Sequence, residues 1–219
     1  MSHSNFFRLA SRSGSVILFV AALIGCSFID SDKKKNDTGY DPPWERRGCD
    51  GQDYLSIEET PYVLPYPVGK RYKMNLGNCS TSYHAAEYPD RYAYDFDMPI
   101  GTLITASRAG RVFMVVESGV DFNSSVNNLV VVDHGDGTYA EYMHLTHNGA
   151  VVKNGDMVEK GDSIGYSGAT GLAGYPHLHF ILVRDNPSWP YKPVPVTFGN
   201  ASPADRILDE GTRYEAKPW

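Results

Sequence analysis

The stretch that most narrows what this chain can become is His177-Leu178-His179-Phe180-Ile181-Leu182-Val183. It is entered from the glycine-rich run Gly168-Ala169-Thr170-Gly171-Leu172-Ala173-Gly174-Tyr175-Pro176. An apolar, partly β-branched run bounded by Gly and Pro reads as a strand. Side chains alternate across a strand, so His177 and His179 share one face while Leu178 and Phe180 point into a core. Two imidazoles side by side at the mouth of a sheet are the start of a metal site. Taken alone, the same pattern is equally a surface strand that carries two histidines.

The rest of the chain speaks the same structural language. Short β-branched runs separated by Gly and Asp turns recur at 103–106, 110–116, 129–133, 139–144, 163–166 and 177–183, and long helical periodicity is absent. Asp133-His134-Gly135-Asp136-Gly137-Thr138 reads as a hairpin turn whose glycines can take positive φ. The expected fold is mainly β, an antiparallel β-sheet or β-sandwich-like domain with long loops, spanning residues 46–219. After Val183, Pro187-Ser188-Trp189-Pro190-Tyr191 and 193–195 read as an irregular tail wrapping the sheet. The net charge of -6 offers no basic surface, which argues against nucleic acid as a partner.

The N-terminus reads as a targeting segment. Arg8 and Arg12 precede the apolar run 16–24, which is too short for a comfortable membrane span. Leu23-Ile24-Gly25-Cys26 resembles a bacterial lipobox. That resemblance implies a lipoprotein signal peptide over 1–25, cleavage before Cys26 and attachment to the membrane through a lipid on Cys26. By resemblance to Gram-negative lipoproteins, the non-acidic Ser27 implies an outer-membrane location facing the periplasm, within the cell envelope. The alternative is an ordinary secretory signal with an incidental cysteine. Residues 26–45 are polar and broken by Pro and Gly, as in a flexible tether. Lys33-Lys34-Lys35 are solvated there or touch anionic headgroups. With Cys26 lipidated, an oxidising envelope favours pairing Cys49 with Cys79. The alternatives are two free thiols or a bond to another molecule.

Four stretches then line up. They are Tyr92-Ala93-Tyr94-Asp95-Phe96-Asp97-Met98-Pro99-Ile100-Gly101-Thr102, then Ala106-Ser107-Arg108-Ala109-Gly110-Arg111-Val112, then Tyr142-Met143-His144-Leu145 followed by the paired Gly155-Asp156 and Gly161-Asp162 turns, and the opening stretch itself. Together they resemble the M23 zinc metallopeptidases, the lysostaphin-type or LytM-domain peptidoglycan endopeptidases, from about His84 to Val183. The resemblance implies a Zn2+ held by a histidine and an aspartate from an early motif and by the second histidine of His-x-His, here His84, Asp95 and His179. Asp97, two residues on, shares a strand face with Asp95 and is the rival ligand. The common early motif is His-x-x-x-Asp, whereas ten residues separate His84 from Asp95 here. Pro89-Asp90 suits a turn, so the insertion can loop out and leave His84 near Asp95; otherwise His84 is a surface loop residue.

By the same resemblance, His144 and His177 flank the metal without binding it. His177 is the expected general base, and His144 orients water or stabilises the oxyanion. Three protein ligands leave a fourth position open, where zinc lowers the pKa of water to about 7. His134 is expected to cap its hairpin and His147 to sit exposed in the loop after Leu145. Gly168, Gly171 and Gly174 are expected to let the backbone approach an extended peptide, and Tyr175 either walls the cleft or packs. The implied activity is zinc-dependent cleavage of peptide bonds in peptidoglycan stems or cross-links. The other reading is a catalytically inactive LytM-type regulator that binds and activates wall amidases, and a regulatory envelope protein is a conceivable partner in either case.

Overall fold

The structure, a computed structural model, describes residues 48–49 and 51–219. The expected signal peptide, Cys26 and the tether lie outside the described residues. The described strands are β1 (Arg71–Leu76), β2 (Tyr94–Asp97), β3 (Leu103–Thr105), β4 (Gly110–Val116), β5 (Leu129–Asp133), β6 (Thr138–Met143), β7 (Leu145–Ala150), β8 (Met157–Val158), β9 (Ser163–Ser167), β10 (His177–Arg184), β11 (Lys192–Val194), β12 (Ala201–Ser202) and β13 (Arg213–Ala216). One ten-stranded sheet runs in the order β12-β13-β1-β2-β10-β6-β5-β4-β8, with β11 also paired to β10; a second sheet is β3-β9-β7. The pairings are antiparallel throughout, as the short runs and tight turns imply.

β10 sits between β2 and β6 near the middle of the large sheet. Its odd and even residues serve different cores. Leu178, Phe180 and Leu182 join Tyr94 and Phe96 of β2 and Tyr142 of β6 in the main core, where Ile104, Leu145 and Ile164 of the smaller sheet meet them. On the other face, Ile181 and Val183 pack with Ala93 and Met143 in a small second cluster, against which Tyr191 rests. Burial on both faces is why β10 reads as a nearly unbroken apolar run rather than an alternating one.

The hairpin between β5 and β6 is the expected one. Gly135 and Gly137 take φ of +74° and +85°, and His134 N–H donates to the Thr138 carbonyl at 3.0 Å. The His134 Nδ1–H donates to the Ala109 carbonyl at 2.8 Å, which ties the hairpin to the turn before β4. Two expectations need correction. His147 is exposed, but it lies on β7 rather than in a loop; β7 pairs with β9, and that pairing continues the backbone past His144. The segment after Val183 is not merely irregular. It supplies β11, β12 and β13, and β13 pairs with β1 to extend the sheet. It also delivers Phe198, whose ring lies 5.6 Å from Tyr94 and 5.4 Å from Phe180. Such pairs of nonlocal strands leave little periodic signal in a Pro- and Gly-rich stretch.

Cys49 and Cys79 are disulfide-bonded, with Cα atoms 5.0 Å apart. In the core, the Ser107 N–H donates to the Tyr142 hydroxyl oxygen at 2.7 Å. Tyr142→Phe removes that acceptor and strands a buried N–H. The variant should lose about 1–3 kcal/mol of stability. Urea unfolding should show a lower midpoint at unchanged slope.

Candidate metal centre

The register of two strands builds the centre. β2 and β10 pair so that His179 lies opposite Asp95 and His177 opposite Asp97. Tyr94 and Phe96 point into the core, which turns Asp95 to the face that carries His177 and His179. There Asp95 Oδ1 lies 2.9 Å from His179 Nδ1. Asp97 is half-buried at the strand end and takes no part in the clusters of convergent ligand atoms among the described residues.

His84 reaches the same carboxylate. It closes a short 3-10 turn, Ser82–His84, that Ser82 enters with a left-handed φ of 58°. The segment that carries His84 is closed at its ends: Cys79 N–H donates to the Arg91 carbonyl at 2.7 Å, and Cys79 is bonded to Cys49. Between them the chain doubles back through successive turns, with Tyr88 N–H donating to Ala85, Arg91 to Tyr88 and Ala93 to Asp90. The inserted residues are thereby folded out, and His84 is only 1% exposed. Its Nε2 lies 3.4 Å from Asp95 Oδ1, and its ring meets His179 edge-on at 5.2 Å between centroids.

His144 and His177 stand beside this trio with ring centroids 4.6 Å apart. His144 follows β6 with a φ of 64°, unusual for a residue with a Cβ. Asn127 Oδ1 accepts its N–H at 3.1 Å and fixes it there. The His144 Nδ1–H donates to the Thr170 carbonyl at 2.7 Å. The His177 Nδ1–H donates to the Tyr175 carbonyl at 2.8 Å, and the two rings stack at 4.5 Å. A carbonyl only accepts, so each neutral ring keeps its proton on Nδ1 and presents a lone pair at Nε2.

The charges are arranged around His179. Burial works against its charged form, but Asp90 and Asp95 outweigh burial and push it up to about 10. Burial likewise opposes ionisation of Asp95, yet His179 and His84 hold the carboxyl well below the usual range. Burial lowers His144 to about 3, helped by the neighbouring His179 and His177. Burial also lowers His177, with Asp95 working against it. The two flanking imidazoles are therefore neutral at ordinary pH. On β6, burial pushes Glu141 up to about 8, so it is held as the neutral acid.

The donor set fits a metal ion. His84, Asp95 and His179 are all buried and offer ligand atoms within 4.8 Å of one another; His144, His177 and His179 form a second such group. Two imidazoles and one carboxylate are a familiar zinc set, and three ligands leave a position open. Buried Asp95 and half-buried Asp90 force positive charge onto His179, a demand that a divalent cation would meet. In the second group, two of the three rings already spend Nδ1 on backbone carbonyls.

All five expected residues thus converge. Others here left little trace in the sequence. Asn127 accepts a backbone N–H through its side chain, and Thr170 and Tyr175 act through their backbone carbonyls, contacts that no motif reports. Asp90, expected only to turn the loop, lies 3.5 Å from His179 Nε2. Glu141 alone gave a signal, an acid amid the apolar residues of β6. The glycine reading also changes. A Cβ at Gly168 would strike the Thr146 backbone, and Gly171, at φ +69°, lies against Asn127. Both serve the protein's own packing, whereas Gly174 faces open space.

Residues 90–190 match the family described as Peptidase family M23. His84 lies ahead of the matched span. The chain is 39% identical over 125 residues to the peptidoglycan DD-endopeptidase ShyA of Vibrio cholerae serotype O1, covering 56% of this chain and 27% of that protein. It is 37% identical over 112 residues to lysostaphin of Staphylococcus simulans, covering 48% and 22%. The chain therefore spans about a quarter of the length of these curated relatives. Among solved structures, a zinc-containing peptidase from Vibrio cholerae aligns over 61% of this chain and 38% of its own, at 27% identity and a TM-score of 0.45.

The pKa shifts make a stability prediction for protein treated with a chelator. His179, raised in the fold, stabilises it fully below the ordinary histidine value of about 6.5. That contribution is lost as pH climbs through about 10. His144 is depressed, so its effect has the opposite sense: below about 6.5 the unfolded chain takes up the proton first, and stability falls as pH drops. The melting temperature of metal-free protein should decline on both sides of about pH 6.5, and His179→Gln should flatten the alkaline side.

Proposed function

From a chain that carries a domain of peptidase family M23 over residues 90–190, we propose a zinc-dependent endopeptidase that hydrolyses peptide bonds in peptidoglycan stems or cross-links. The observation that carries this reading is the convergence of buried His84 and His179 on one oxygen of Asp95. The neutral imidazoles of His144 and His177 stand alongside. The relatives named above lend support, since one is named a peptidoglycan DD-endopeptidase and the other lysostaphin.

In this reading His84, Asp95 and His179 hold the zinc. When bound there, zinc would supply Lewis-acid chemistry and would lower the pKa of water toward neutrality. His177 takes the proton at Nε2, which lies 3.6 Å from Asp95 Oδ2. After burial, the largest influence on His177 is the opposing Asp95 carboxylate, ahead of two imidazoles, whereas at His144 two imidazoles come ahead of Asp95 and add to burial. A general base works best with a pKa close to the operating pH. His144 presents an acceptor at Nε2 and is positioned to orient the water. Donation to an oxyanion would require it to gain a second proton, which its depressed pKa resists. The stack on Tyr175 and the bond to its carbonyl hold the His177 ring in place.

The proposal extends to the rest of the chain. A signal peptide over 1–25 and a lipid on Cys26 would place the enzyme on the envelope membrane, with 26–45 as its tether to the wall. An inactive regulator of wall amidases would have no use for the five site residues, and this chain keeps all of them.

Metal analysis of the purified chain should find one zinc per molecule, lost in His84→Ala. His177→Ala should retain zinc while its cleavage of purified peptidoglycan falls by about 10²–10⁴-fold. Absence of zinc from the wild type, together with no released peptides, would favour the regulator. Cleavage by His177→Ala at the wild-type rate would show that another group is the base.

A further inference from the structure

An imidazole that ligates a metal through Nδ1 must carry its proton on Nε2. If nothing accepts that proton, the other tautomer competes. In His179 that competitor is well placed, because an Nδ1–H would donate straight to Asp95 Oδ1 at 2.9 Å. The ligand would then be blocked by its own proton. Something on the far side of the ring has to decide the matter.

Asp90 stands on that side. Its Oδ1 lies 3.5 Å from His179 Nε2, a nitrogen that is buried and has no hydrogen bond of full geometry among the described residues. The Asp90 side chain is only 15% exposed, so little water competes for it. The same Oδ1 accepts the Tyr191 hydroxyl proton at 2.8 Å, across 101 positions of sequence. Tyr191 is itself held, edge-on to Trp189 at 5.2 Å and against the cluster of Ala93, Met143, Ile181 and Val183. Glu141 faces the cluster from β6, and its Oε1 has no hydrogen-bond partner among the described residues. Asp90 is the carboxylate that lies against His179 Nε2 among the described residues.

We propose that Asp90, clamped by Tyr191 from the segment after β10, is a positioning residue that accepts the Nε2 proton of His179 and so aims the Nδ1 lone pair at the metal. The inference rests on the metal reading above, and it goes further by assigning a task to the inserted loop and to the tail. The loop between His84 and Asp95 contributes a ligand at its start and the orienting carboxylate of another ligand near its end. The tail tunes the site through one hydroxyl. Carboxylate partners of ligating histidines characteristically change metal affinity by about 10–100-fold when removed.

The test is a zinc competition titration against a chromophoric chelator, using the full chain and the variants Asp90→Ala, Asp90→Asn and Tyr191→Phe. Asp90→Ala should bind zinc about 10–100-fold more weakly. Asp90→Asn, which keeps an acceptor oxygen but not the charge, should fall between it and the wild type. Tyr191→Phe should weaken binding several-fold without touching a ligand. A second readout needs no metal: proton NMR of the chelator-treated wild type should show a slowly exchanging, downfield His179 Nε2 proton that Asp90→Ala loses. Zinc affinities within twofold of wild type in the Asp90 variants, with that proton unchanged, would overturn the inference and leave the metal reading intact. A wild type that binds no zinc would instead overturn the metal reading and this role with it. Should Asp90→Ala fail to fold, the nearly isosteric Asp90→Asn and Tyr191→Phe decide.

Discussion

The antiparallel register of β2 against β10 is the constraint on which the rest depends. It sets His179 opposite Asp95, and alternation on both strands places these side chains on one face while Tyr94, Phe96, Leu178 and Phe180 bury the other. A slip of one residue would turn Asp95 and His179 into the core and the aromatics onto the opposite face. The apolar half of the pattern thus enforces the polar half. The aromatic cluster completed by Phe198 makes such a slip costly, because each ring buries a large area only in this register.

Around that register the protein gathers charge that would be unstable alone. Asp95 is buried, and an isolated buried carboxylate is expensive. Here it is met by two imidazoles from different parts of the chain, one on the neighbouring strand and one in a loop folded back on itself. Asp90 adds a second carboxylate on the outer side of His179, and Tyr191 supports it. His144 and His177 are treated differently. Their Nδ1 protons are spent on backbone carbonyls, and burial keeps both rings neutral. One patch of sheet therefore holds two kinds of histidine, one drawn toward positive charge and the others kept from it. In the proposed reading, that division separates the ligand His179 from the base His177.

Much of this was legible in the residues, and the reasons are specific. β4, β5, β6, β9 and β10 are short runs with branched side chains and clear turns at their ends, so their positions follow from local pattern. His144, His177 and His179 sit on or beside such strands. His84 was harder, because ten residues intervene before Asp95, and spacing alone does not say whether a loop closes. Its closure depends on the Cys49–Cys79 bond and on the Cys79–Arg91 backbone contact, both nonlocal. Asp90 and Tyr191 were illegible as site residues for the same reason. Their partners are fixed by how the loop and tail cross the sheet. The glycines misled in a related way: Gly168 and Gly171 are small because Thr146 and Asn127 press against them, a neighbourhood invisible in one dimension.

The sequence by itself determined the class of the fold, the strand that carries the paired histidines and the kind of chemistry its side chains can perform. These are local properties, set by alternation, turn residues and the intrinsic chemistry of imidazole and carboxylate. Only the tertiary structure decided that His84 turns inward, that Asp95 rather than Asp97 receives it, and which nitrogen of each ring is left free. Those outcomes depend on contacts between segments far apart in the chain, where a displacement of an ångström makes or breaks a hydrogen bond and no local preference specifies the answer.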